Sequence, residues 1–242
     1  MRLTYILSLL TLLIFISGSG VYSQGVSSGA AGVRAANPEF PQLLEWAAKE
    51  KDLGYKLEGS PYIEEAWNNA KILFKSNEVI EDIPVKYDLM ENLMEIKTKR
   101  TIKVCPAKRI IAFELKSTES EQIRKFVNCN RFKSDTKLEG FYEVLVDSDD
   151  GLSLFVKTDA TIKESNYNPA LDVGEETSKI VKRQTYYIVD GNYANVVKKN
   201  KKAFLKLFNG KSSIINLLLK EEKLKIGEAQ DLIQIVDYYN SL

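Results

Sequence analysis

The strongest constraint on this chain is a hydrophobic period of two that runs through its middle and then changes. Ile83, Val85, Tyr87 and Leu89 alternate with Pro84, Lys86 and Asp88, the pattern of a strand with one face in a core, Pro84 placing it at an edge or a strand start. Met94 and Ile96 share one side of Leu93–Thr98. Ile102 with Val104, and Ile111 with Phe113 and Leu115, continue the pattern. A strand at Ala70–Phe74 precedes these, ending in the S-N-E turn at Ser76–Glu78. Further strands are expected at Phe141–Val146, Leu152–Val156, Tyr186–Val189 and Tyr193–Val197. The turns between them are S-D-D-G and D-G-N, and a long polar loop spans Ile162–Lys179. Short strands joined by brief turns favour an antiparallel meander over βαβ units.

Beyond residue 197 the period becomes helical. Phe204, Leu207 and Phe208 share a face that ends at Gly210. Ser212 or Ser213 caps a second helix carrying Ile214, Leu217 and Leu218. After Gly227, Leu232, Ile235, Val236 and Tyr239 stand at i, i+3, i+4 and i+7. The fold class is therefore α+β: an antiparallel β body, sandwich-like or a curved sheet, with a helical C-terminal lobe of about three helices. A short N-terminal helix is expected at Pro41–Leu53, with Leu43, Leu44, Trp46 and Ala47 on its apolar side.

The first residues are an address rather than part of the fold. Arg2 precedes an apolar run from Ile6 to Ile16, shorter than the roughly 20 residues a membrane span needs. Val21 and Ser23 then supply the small residues of a signal-peptidase site, so cleavage is expected between Ser23 and Gln24. The organisation expected is a signal peptide at 1–23, a flexible Gly/Ser/Ala leader at 24–40, a helix-plus-β domain at 41–197 and the helical lobe at 198–242. No Cys precedes Cys105, so no lipid attachment is expected at the cut, and no later run is long enough to span a bilayer. The location implied is periplasmic or extracellular.

Composition excludes chemistries. The chain has 242 residues and no His, which removes Ser-His-Asp triads, Cys-His pairs and His-ligated metals. Lys and Arg number 34 against 33 Asp and Glu, and loss of Arg2 balances them, so no overall field steers the protein to nucleic acid. The K-K-N-K-K run at Lys198–Lys202 lacks interleaved aromatics. It is expected to be a solvated helix start, with an anionic lipid or glycan phosphate as the residual reading. D-S-D-D-G at Asp147–Gly151 has its Gly at position 5 rather than 6, and Thr158 where a calcium loop has Glu, so it reads as a hairpin turn. Glu64/Glu65 and Glu175/Glu176 are adjacent in sequence and would point to opposite faces of a strand. No P-loop, GxSxG or CxxC occurs. No catalytic, cofactor or metal residue is assigned. Trp46 and Trp67 could line a sugar or peptide groove, although core packing is the commoner role of such residues. Cys105 and Cys129, alone in an exported chain, are candidates for a disulfide; two buried thiols are the alternative.

G-S-P-Y-I-E-E-A-W at Gly59–Trp67 and D-I-P-V-K-Y-D-L-M-E-N-L-M-E-I-K at Asp82–Lys97 resemble a pattern in exported proteins of Bacteroidota-type bacteria. In that family a G-[ST]-P-Y segment precedes a strand pair. Similar segments follow at Gly140–Leu145, Tyr186–Gly191 and from Lys223 to the C-terminus; Asp88 stands where the pattern often has Asn. The resemblance implies export and a β-then-helix layout, and it carries no assigned activity. The expected role is binding, to another envelope protein or a glycan. A two-carboxylate hydrolase acting on cell-wall glycan and a structural envelope component are the alternatives.

Overall fold

The computed structural model describes residues 57–117, 122–168 and 170–242. The signal segment with its Ser23–Gln24 cut, the leader, the Pro41–Leu53 helix and Trp46 lie outside the described residues.

Among the described residues eleven strands form one sheet. They are β1 (Leu57–Glu58), β2 (Asn68–Phe74), β3 (Val79–Asp88), β4 (Leu93–Lys97), β5 (Ile102–Pro106), β6 (Ile110–Lys116), β7 (Ile123–Asn128), β8 (Phe141–Val146), β9 (Leu152–Lys163), β10 (Ser178–Asp190) and β11 (Tyr193–Val196). Their order is β1-β10-β9-β8-β7-β6-β2-β3-β4-β5, with β11 on the same edge of β10 as β1. Two meanders, β2–β5 and β6–β11, join where β6 returns to pair with β2. Among the named strands every pairing is antiparallel except β1 with β10, and the isolated Lys133–Tyr193 bridge is parallel too, so the all-antiparallel expectation fails at one two-residue strand and one bridge. That strand enters from a distant part of the chain and needs no tight hairpin.

Two faces follow from the register. Ile72, Phe113, Phe126, Glu143, Val156 and Tyr186 lie opposite one another across successive strands, hence on one side, here the inner face. Phe113 stacks on Phe126 at 4.5 Å, and Phe141 meets Phe113 edge-on at 4.9 Å. At the β9–β10 end this face is closed by α1 (Lys201–Leu205), α2 (Ser212–Glu221) and α3 (Ala229–Ser241). Leu152, Leu154 and Ile188 from the strands join Phe204, Phe208, Ile215, Leu232, Ile235 and Val236 in one buried cluster. The opposite face carries a second cluster, in which Tyr142 lies 5.7 Å from Phe155 and 5.0 Å from Tyr187.

Four expectations change. β3 is neither an edge strand nor started by Pro84: it pairs with both β2 and β4, and Pro84, opposite Asn69, stands one residue before the β4 ladder begins at Val85–Ile96. β7 was not anticipated, because Arg124 occupies an inner-face position and breaks the alternation. β9 and β10 extend to Lys163 and back to Ser178, shortening the expected loop. The added ladder is largely polar and exposed over Val181–Gln184, so hydrogen bonding rather than burial holds it. In α2 the buried stripe is Ile215 and Leu219, while Ile214 and Leu217 are exposed. A helix reading I-I-N-L-L-L is apolar nearly all round, and packing rather than pattern selects the inward side.

Candidate functional site

The hairpin between β3 and β4 turns at Asn92, whose φ of 53° is left-handed, and sets Lys86 opposite Glu95. Val85, Tyr87, Met94 and Ile96 are buried, so Lys86, Glu95 and Lys97 stand on the outer face. Two aromatic residues join them there. The segment before β2 runs back along β3, with Ile63 N–H donating to Tyr87 O and Leu89 N–H to Pro61 O, which bridges Tyr62 to Asp88. The Tyr62 hydroxyl donates to Glu95 Oε1 at 2.8 Å. Lys86 Nζ lies 5.0 Å from the Tyr62 ring and 5.2 Å from the Trp67 ring, and Lys97 Nζ lies 5.4 Å from Trp67. Each such contact contributes ~0.5–1 kcal/mol at an exposed site. Burial, then the bond to Glu95, pushes the Tyr62 hydroxyl pKa well above its usual value, so it remains a donor. The result is a partly exposed aromatic cluster in which Lys86 Nζ lies over both rings, Lys97 Nζ lies over Trp67, and Glu95 accepts from the Tyr62 hydroxyl. Trp67 was a candidate from sequence; Tyr62, Lys86 and Lys97 were not. Counting outward from the turn in L-M-E-N pairs Lys86 with Glu95 and would have found one of them.

The carboxylates are arranged differently from a two-carboxyl cleft. Arg124 Nε and Nη2 each donate to Glu143 at 2.7 Å, and Nη1 donates to Glu64. Glu64 also accepts from Asn68 Nδ2 at 2.6 Å. The bond to Glu143 is the largest influence raising the Arg124 pKa, with burial opposing it and Glu64 reinforcing it. Glu64 and Glu143 thus meet at one guanidinium that occupies the space between them. Glu65 is exposed, so the Glu64/Glu65 pair diverges. Glu175 lies 3.3 Å from Lys163 and 3.7 Å from Lys179, and the Lys163 bond lowers its pKa. Glu176 is exposed beside it. Among the described residues, no group of three His, Cys, Asp or Glu side chains is placed to hold a metal ion. Asp147–Gly151 forms the β8–β9 turn, where Gly151 N–H donates to Ser148 Oγ at 3.0 Å and Asn240 of α3 bonds both N–H and C=O of Leu152 at 2.9 Å.

The candidate disulfide is corrected: Cys105 and Cys129 are free, buried thiols. Cys105 sits on β5 opposite Met94, and its Sγ contacts the Pro106 carbonyl. Cys129 opens a single 3₁₀ turn after β7, where its N–H donates to Gly140 O. Each thiol is packed into its own strand-end environment as a small apolar group. Burial raises Cys105 to about 11 against the opposing charge of Arg109, and raises Cys129 to about 12. The Lys198–Lys202 run leads into α1, capped by Asn200 Oδ1 accepting from Ala203 N at 3.0 Å.

Comparison with family models, curated proteins and solved structures finds no match for this chain. Among the described residues no helix is long and apolar enough to cross a membrane.

Proposed function

We propose that this is an exported envelope protein that acts by binding rather than catalysis, and that a glycan seats across the Tyr62–Trp67 cluster. The observation that carries the reading is the partly exposed pair of aromatic rings laid against the β3–β4 hairpin, with Lys86 and Lys97 over them and Glu95 on the Tyr62 hydroxyl. Aromatic surface that the lysines leave open takes the C–H faces of a sugar, while the ammonium and carboxylate groups bond its hydroxyls. The β3–β4 ladder sets Lys86, Glu95 and Lys97, and the Ile63–Tyr87 and Leu89–Pro61 backbone hydrogen bonds tie the Tyr62 segment to it before any ligand binds.

The test is fluorescence titration of the W46F protein, leaving Trp67 as the reporter, with peptidoglycan fragments and envelope polysaccharide fractions. Saturable change in Trp67 emission is expected, with affinity falling about tenfold or more in K86Q, the size of one charge-assisted contact. Unchanged emission with every fraction, together with equal co-sedimentation of wild type and W67A, would overturn it. The export half of the reading is tested separately. Protein taken from the native envelope should begin at Gln24, and intact mass retaining residues 1–23 would sink it.

A further inference from the structure

Lys198, Lys202 and Lys206 follow one another at intervals of four, before, within and at the end of α1. On a helix, like charges at that spacing repel by a few tenths of a kcal/mol, which here concerns Lys202 and Lys206, since Lys198 lies in non-helical backbone before α1. All three line one open cavity of about 530 Å³, whose other walls include Asn195 of β11, Asn200 and Asp135. The Asp135 wall is fixed by β-bridging of Lys133 to Tyr193, and by the Tyr193 hydroxyl donating to Asp135 Oδ1 at 2.5 Å. Among the described residues none of the three lysines takes part in an ion pair. Among the described residues the lining holds three lysines and one carboxylate, Asp135, so positive charge there exceeds negative.

From this geometry we infer that the cavity between β11, α1 and the Asp135 segment binds a phosphoryl group carried on a sugar-sized or headgroup-sized body. Three ammonium side chains lining one cavity match a multiply charged oxyanion better than a singly charged carboxylate. The volume lies within the range of small-molecule pockets and exceeds what bare phosphate fills. Occupancy replaces mutual repulsion of the lysines with charge-assisted hydrogen bonds, so the ligand also stabilises the fold. The cavity lies apart in sequence from Tyr62 and Trp67, and the inference does not depend on the glycan reading.

The experiment is calorimetric titration of the full chain at low ionic strength with inorganic phosphate and with glucose 6-phosphate. Flotation with equimolar phosphatidylglycerol and phosphatidylcholine vesicles runs in parallel. Saturable binding of glucose 6-phosphate or phosphate, weakened about tenfold or more in K202Q/K206Q, is expected for a soluble phosphate ester. Vesicle binding alone, with the same dependence, supports the site and assigns the headgroup as its source. The control K220Q/K223Q removes the same charge from α2 and the turn after it. Absence of binding in both arms, or equal weakening by the control, overturns the inference. All four lysines are exposed, so a matching melting temperature checks that the variants are folded.

Discussion

Arg124 joins segments far apart in the chain, because Glu64 precedes β2 and Glu143 lies in β8. Its side chain is 21% exposed, that of Glu143 13%, so the bidentate pair works where water screens it weakly. The two thiols show the opposite use of burial, keeping an acid neutral. With Cys105 raised to about 11 and Cys129 to about 12 by burial, the folded protein retains protons that the unfolded chain loses near pH 9. Stability contributed by these groups is therefore fully present below about pH 8.5, falls as pH rises through the alkaline window, and is lost above about 12. Urea midpoints measured from pH 8 to 11 should fall, and C105A/C129A should flatten the decline. An equally steep decline in the variant would show that the thiols do not drive it. At pH 8, alkylation of the native thiols should be at least ~100-fold slower than in unfolded protein, as a rise of two units or more requires.

Elements differ in how much of them the sequence discloses. In α3, Leu232, Ile235 and Val236 are fully buried, and Tyr239 packs 5.5 Å from Phe208, as the i, i+3, i+4, i+7 spacing implies. Leu232→Ala should accordingly cost ~2–5 kcal/mol, while Tyr238→Ala on the exposed side should stay within about 0.5 kcal/mol. Equal urea midpoints for the two variants would show that the stripe is not core. α3 is legible because its polar and apolar residues separate cleanly. α2 is not, because apolar residues surround it and only contact with the strands decides that Ile215 and Leu219 turn inward. β7 was illegible for a related reason. A charged residue on the packed face looks like a solvent position until Glu64 and Glu143 arrive from elsewhere in the chain. The same holds for both candidate sites. Trp67 was visible as a residue type, but Lys86 and Lys97 reach it only through hairpin register. The lysine run gained its cavity only when the Asp135 segment bridged to Tyr193.

At the scale of the molecule, β9 couples the parts. Its Leu152 and Leu154 belong to the core beneath the helices, and its Phe155 belongs to the aromatic cluster on the other face. Asn240 of α3 bonds the backbone of Leu152 at the start of the same strand. The helices therefore lack a core of their own: without Leu152, Leu154 and Ile188 their apolar faces meet water, and without the helices those strand residues do. Removing either side exposes the other, which is the condition for all-or-none unfolding. Denaturation by urea should then show one transition. Ellipticity at 222 nm, weighted to α1–α3, should coincide with Trp67 emission in the W46F protein, which reports the distant β2–β4 end of the sheet. Loss of ellipticity at lower urea than the change in emission would mean that the helical lobe unfolds by itself, and that the cluster it shares with β9 and β10 does not bind the two together.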